Sequence, residues 1–275
     1  MNQRKMDSAS VFATVAVGAA VLATIVMVAA AFGAFSSGGA DASSPEDEQI
    51  ADDDGAAADP NARAADIVTS AASAMAGVKS VEFRIERGGA PIFIDQFERI
   101  ALNSLRGQFT VPGKAQAELE VTVNDNLATR LGAVAVDDEV WISNPVTGDF
   151  ETLPAGYDID PSKFFDPENG WQPLLANLQK PTMVGIEDRG GERYHITGTA
   201  PAAEVSDITV GLVKGQDVSV DFWIHPDTYV VTAADFTTTT DGATSDWTLE
   251  LDHYGDTFQI EPPTNVRDTE GSSNG

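Results

Sequence analysis

No cysteine occurs among the 275 residues, and histidine occurs three times. The first absence excludes disulfides, thiolate metal sites, a thiol nucleophile and an acylated cysteine anchor. The second leaves little material for a histidine metal centre. Basic residues are scarce: 16 Lys and Arg stand against 43 Asp and Glu, a net charge of −27. Such a polyanion lacks a surface that neutralises phosphates, so nucleic acid is excluded as a partner. Motifs of catalysis are also weak: the G-x-S-x-G pattern occurs only as Gly271–Gly275 in the polar tail, without the strand and helix that frame a nucleophile elbow, and there is no H-E-x-x-H helix. A spatial triad built on His195, His225 or His253 is what a hydrolase reading would need. Gly38-Gly39 and Gly190-Gly191 read as linker and turn glycines, because neither joins a strand to a helix as a phosphate cradle does. No cofactor, metal or catalytic residue is expected.

What the chain does have begins with Val11–Phe35, 25 residues without a charge or an amide side chain. As a helix this run would be about 37 Å long, enough to cross a hydrocarbon layer of about 30 Å. Residues 1–35 therefore read as a signal anchor, with signal-peptide cleavage near Ala42 as the alternative. Arg4 and Lys5 precede the run and acidic residues follow it, so the N-terminus is expected in the cytoplasm and the rest outside. Residues 36–63 carry eight acidic residues, one basic residue and almost nothing large and apolar. They read as a disordered acidic linker with a span on the order of 30 Å. Asp52-Asp53-Asp54 lacks the alternating ligands, the glycine and the closing glutamate of a calcium loop. Residues 263–275 read as a flexible tail. The acidic residues are scattered along the remaining chain, which suggests a solvated surface.

Residues 64–262 carry the folded domain. Ala64–Val78 places Ile67, Val68, Ala71, Ala72 and Met75 on one helical stripe that ends at Gly77. A period of two follows. Val81, Phe83 and Ile85 alternate with Glu82, Arg84 and Glu86; Leu119, Val121 and Val123 alternate with Glu118, Glu120 and Thr122. Strands are expected at Leu127–Val136 and Val140–Ile142. The alternation breaks at Ile159–Lys180, where Asp160-Pro161 and Asp166-Pro167 each pair a capping residue with proline. Phe164 and Phe165 fall on a first short helix there. Trp171, Leu174, Leu175 and Leu178 stripe a second, which Pro181 stops. Strands resume at Met183–Glu187 and Tyr194–Thr199, with a helical turn at Ala202–Ile208, then Val218–Ile224, Tyr229–Thr240 and Trp247–Leu251. The class is α+β: one large curved antiparallel sheet, covered by a few helices. A sheet of about ten twisted strands curls. If it closes only part-way, the covered hollow has apolar walls and suits acyl chains. Periodicity alone favours a filled, dry core over a hollow, since it reports burial and not emptiness. Trp141, Trp171, Trp223 and Trp247 read as core or sheet-face residues rather than a sugar-stacking set.

The order and spacing of several short motifs add to this. Val78-Lys79-Ser80-Val81, Asp160-Pro161-Ser162, Asp166-Pro167-Glu168-Asn169-Gly170, Leu174-Leu175-Ala176-Asn177-Leu178 and Val220-Asp221-Phe222-Trp223-Ile224 resemble the LppX/LprAFG family of actinobacterial cell-envelope lipoproteins. The resemblance runs from about Ala64 to Pro262. It implies a half-barrel similar to the LolA/LolB lipoprotein carriers, with a hydrophobic cavity that binds acyl lipids or glycolipids and carries them across the envelope. The family's lipobox cysteine is missing: Ala34-Phe35-Ser36-Ser37-Gly38-Gly39 occupies its place, so the anchor would be the peptide span itself.

The expected function is extracytoplasmic binding and transfer or presentation of an acyl lipid, without turnover. The lipid-lining residues expected from the alternation are Phe83, Ile85, Phe109, Leu119, Val121, Leu131, Phe165, Leu174, Leu175, Leu178, Val220 and Phe222; a one-residue register slip would turn a strand's set outward. Leu175→Trp is expected to fill the hollow and leave the fold intact. The rival is a membrane-tethered sensory or scaffolding ectodomain with a filled core and a protein partner. No motif names the envelope proteins that would exchange the lipid.

Overall fold

The computed structural model describes residues 60–94, 98–137, 139–144, 147–152, 170–209 and 213–267. The anchor or signal helix, nearly all of the acidic linker, the first short helix with Phe164 and Phe165, and the tail from 268 onward lie outside the described residues.

The first helix, α1, spans Pro60–Ala76. It starts earlier than the stripe alone suggested, with proline at its first position, where a missing N–H is harmless. Ala64, Ile67, Val68, Ala71, Ala72 and Met75 are all buried along one face, the spacing that 3.6 residues per turn requires. The last turn closes through Gly77 N–H donating to Ala74 O (3.0 Å).

Strands β1 (Ser80–Gly89), β2 (Ile100–Thr110), β3 (Lys114–Val123), β4 (Leu127–Val136), β5 (Glu139–Ser143) and β6 (Phe150–Thr152) follow as a meander of antiparallel neighbours. A short helix α2 (Trp171–Ala176) leads to a second meander: β7 (Gln179–Asp188), β8 (Glu192–Ala200), helix α3 (Ala202–Ile208), β9 (Val218–Ile224), β10 (Val231–Thr240) and β11 (Ala243–Asp252). Tight turns join them where the residues allow positive φ. Asn124 (47°) and Asp125 (63°) turn β3 into β4, and Asp241 (52°) and Gly242 (80°) turn β10 into β11. The two meanders fuse because β1 pairs with β11, Phe83 opposite Leu251 and Ile85 opposite Leu249. A two-residue strand β12 (Val266–Arg267) adds in parallel to β6. The result is one open twelve-stranded sheet, with β12 at one end and β7 at the other.

Two expectations need correcting. The second helix ends at Ala176, and Leu178 and Pro181 lie beyond it, Pro181 inside β7. A proline is tolerated there because β7 is an edge strand and the ladder is irregular between Gln179 and Thr182. The sequence also hid β2 before Phe109, whose residues Asn103, Ser104 and Arg106 interrupt the apolar pattern; a bulge between Leu102 and Ser104 resets the alternation.

Candidate functional site

The pairing register divides the sheet into two faces. Odd residues of β1 face the same way as Leu105, Phe109, Leu119, Leu131, Trp247, Leu249, Phe222 and Ile196. This inner face carries two separate buried clusters. The first lies beneath α1 and α2, mainly on β8–β11 with Val81 of β1 and Phe109 of β2, and has Met75, Leu174, Leu175, Ile196, Phe222, Ile224 and Trp247 among its members. The second lies on β2–β5 and contains Ile100, Leu102, Leu105, Leu119, Val121, Leu131 and Ile142. Between them runs a strip on β1, β11 and β10. Phe83 and Ile85 pack against both clusters, and Leu249 and Phe236 pack against the first, yet all four are only half-buried. In a filled core the centre of a sheet is its most covered part. Here four apolar side chains at the centre of the inner face stay half-buried between fully buried neighbours.

Local geometry keeps the strip low. Gly107 stands opposite Phe83, and a Cβ there would meet Phe83 Cζ at 2.6 Å, so the ring lies over the glycine and along the sheet. A segment after β1 crosses the inner face: Ile92 joins the first cluster and Ile94 the second. It is fastened by Ala90 N–H to Thr244 O (2.8 Å), Leu102 N–H to Ile92 O (2.9 Å) and Ile94 N–H to Ile100 O (2.8 Å).

One end of the strip is polar. Trp247 stacks on Phe236 (5.6 Å, 9° between planes) and donates Nε1–H to Thr238 Oγ1 (2.9 Å). Arg87, opposite Trp247 in the register, lays its guanidinium 5.5 Å from the indole centroid. Its Nη1 donates to Leu102 O (2.7 Å), and its Nη2 to Ala90 O and to Ser245 Oγ (3.4 Å). The Nε–H is buried with no acceptor. Burial lowers the Arg87 pKa from the ordinary arginine value.

The outer face is largely charged, apart from a small apolar cluster of Val136, Trp141 and Ile260. Arg106 pairs with Glu118 (2.7 Å) and Arg130 with Glu120 (3.1 Å). At its β7 end, His195 sits between Glu187 (Nδ1 to Oε1, 2.8 Å) and Asp221 (Nε2 to Oδ1, 2.9 Å). Trp223 stacks on His195 (4.6 Å), donates to Glu187 Oε2 (2.9 Å) and carries Arg189 at 3.9 Å. The Trp223 and His195 hydrogen bonds hold the Glu187 carboxyl below the ordinary carboxylate value. His195 thus has two carboxylate neighbours but no serine partner in its hydrogen bonds. Among the described residues, no group of three or more His, Asp or Glu side chains comes together to hold a metal ion, and no helix is long and apolar enough to cross a membrane.

Of the twelve residues expected to line a hollow, Phe165 lies outside the described residues. The other eleven all lie on or under the inner face: Leu119, Val121 and Leu131 in the second cluster, Phe109, Leu174, Leu175, Leu178, Val220 and Phe222 in the first, and Phe83 and Ile85 between them. They do not form one wall. Leu175 is 1% exposed beneath α1, so Leu175→Trp would overpack the first cluster, and the expectation that it spares the fold is withdrawn. Ile85 and Leu249 are among the inner-face positions left half-buried. Leu249, Phe236, Ile92 and Arg87 went unnoticed as site residues, and Trp247 was read only as a core or sheet-face residue. Leu249 alternates with polar neighbours, Thr248 and Glu250, and was readable; the others needed the register.

The profile of the LppX_LprAFG lipoprotein family matches residues 63–260. The chain belongs to that family. LprF from Mycobacterium bovis superposes with a TM-score of 0.59 at 20% identity, covering 74% of this chain and 98% of LprF. The Mycobacterium tuberculosis lipoprotein LppX gives 0.53 at 16% identity, over 73% of this chain and 99% of LppX. These two share the fold of this LppX_LprAFG member. A LolA superfamily protein from Nitrosomonas europaea reaches only 0.24 at 11% identity, too low to bear on the fold. No curated protein matches the chain.

Proposed function

We propose that this protein binds an acyl lipid on the inner face of its sheet, outside the cytoplasm, and transfers or presents it. The observation that carries this reading is the half-buried strip of Phe83, Ile85, Leu249 and Phe236 between two fully buried clusters. A scaffolding ectodomain has no need of uncovered apolar surface at the centre of its sheet, whereas an acyl chain is held by burial at roughly 0.8 kcal/mol per methylene. Membership of a lipoprotein family supports an envelope location. The sheet would act as a half-barrel, with chains lying along the strip and the domain boundaries near residues 64 and 262. Residues 11–35 would serve as the membrane anchor in place of the missing lipobox cysteine, or as a cleaved signal, with 36–63 as tether. No step of chemistry is assigned.

Solvent extraction and native mass spectrometry of the purified protein test this reading. Co-purifying acyl lipid, and saturable uptake of a fluorescent long-chain probe, are the expected results. Ile85→Trp should reduce uptake at least tenfold while the far-UV spectrum stays unchanged. A protein that carries no lipid and takes up none would leave the filled-core ectodomain as the better reading.

A further inference from the structure

The strip has a direction. Along the central strands β1–β5 and β9–β11, the register leaves one charged side chain on the inner face, Arg87. Its described contacts are neutral: two backbone carbonyls, one serine hydroxyl and the face of Trp247. A guanidinium partly removed from water without a counter-charge is costly. The fork geometry of arginine matches carboxylate and phosphate oxygens in pairs, and Nε–H is still unused. The neighbourhood grades from purely apolar (Phe83, Ile85, Leu249) through amphipathic Trp247 to the cation. That gradient matches an amphiphile whose chains and charge lie at opposite ends.

We infer that Arg87 receives an anionic group of the bound acyl lipid, a phosphodiester or a carboxylate, and so holds the ligand with its charged end at the Trp247–Ser245 end of the strip. An anionic oxygen that meets Nε–H, or takes over from Ala90 O, supplies a counter-charge that none of the described partners of Arg87 provides. The carboxylates of β1–β3 flanking the strip (Glu82, Glu86, Glu118 and Glu120) face the opposite side of the sheet, so they do not compete for this cation. The inference rests on the lipid-binding reading above and narrows it to acidic lipids.

The test uses the full chain held in peptidiscs free of added lipid. Dioleoyl phosphatidylglycerol, oleic acid and dioleoylglycerol are titrated separately and read by native mass spectrometry, with inorganic phosphate as a fourth arm. At least one acidic lipid should bind ten times more tightly than dioleoylglycerol, and which one does so identifies the anion. Phosphate alone should not bind. Arg87→Gln should bring the ratio close to one, and Arg87→Lys should keep most of it. In the wild-type protein, the acidic lipid should shift the Arg87 Nε–H resonance and dioleoylglycerol should not, a readout independent of how the glutamine variant folds. Equal affinity for charged and uncharged lipids, or a ratio unchanged in a folded Arg87→Gln, overturns the inference and leaves lipid binding standing. Phosphate binding without lipid selectivity overturns it too. Failure of every lipid to bind removes both readings.

Discussion

At the scale of single residues, shape matters as much as polarity. Gly198 lies on β8 under Leu178, whose side-chain carbons stand 2.7–3.0 Å from where a Cβ would be. Gly198→Ala must therefore push Leu178 off the sheet, at an expected loss of about 1–3 kcal/mol in urea denaturation. Tyr254 donates its hydroxyl to Val231 O beside Met75, which ties the segment after β11 to α1 and β10. Tyr254→Phe should cost about 1 kcal/mol by the same measurement. Burial pushes the Tyr254 phenol far above its ordinary value of 10.0. The folded protein therefore keeps this proton where the unfolded chain releases it. Its contribution to stability is complete below pH 10 and erodes above it, so denaturation midpoints measured from pH 8 to 11 should fall in the wild type and fall less in Tyr254→Phe.

At the scale of elements, the exposed end of the sheet is guarded. Edge strand β7 carries two apolar side chains in water, Val184 (55%) and Ile186 (54%). Irregular ladders between Gln179 and Thr182 and between Met183 and Gly185 interrupt its free edge, and Pro181 removes a donor, devices that oppose pairing with another chain. On the outer face, Glu187 of β7, His195 of β8 and Asp221 of β9 form one chain of contacts, and Arg189 reaches Asp235 of β10 (3.0 Å). Both ring nitrogens of His195 meet carboxylate oxygens, so both contacts are hydrogen bonds only when the ring carries two protons. His195→Ala should leave the apolar clusters intact and speed amide exchange in β7 severalfold. The Glu187 carboxyl is held below its ordinary value of 4.5, so its contribution is present above that pH and lost as acid protonates it. Exchange in β7 should accelerate from about pH 4.5 downward, and Glu187→Gln should flatten that dependence.

For the whole molecule, the decisive feature is that two meanders share one sheet but not one core. Each half of the sheet has its own buried cluster, and the strand where the meanders join keeps Phe83 and Ile85 half-buried between them. The length of an antiparallel meander explains this: helices α1 and α2 roof one half, and the crossing segment with Ile92 and Ile94 covers part of the other. Leu249→Trp, like Ile85→Trp, adds volume over the strip without entering either cluster. It should lower probe uptake at least tenfold with little change in thermal midpoint.

Much of this was legible in the residues alone. Alternation named the inward side of β1, β3, β4 and β9, because a period of two admits only two faces and the charges occupy the other. The stripe from Ala64 to Met75 named the buried side of α1 for the same reason at a period of 3.6. Local signals stopped where pairing became non-local. Nothing near Ser80 says that β1 meets β11, some 160 residues later in the chain, and that pairing alone brings Leu249, Trp247 and Arg87 beside Phe83 and Ile85. Arg87 continues an odd-numbered apolar series, yet its charge reads in the sequence as the end of the buried face. Only the tertiary structure turned that charge inward, because Ala90 of the crossing segment and Leu102 of β2 supply the carbonyls that hold it there. Periodicity determined which side chains leave water; long-range pairing decided which of them stay only half-covered.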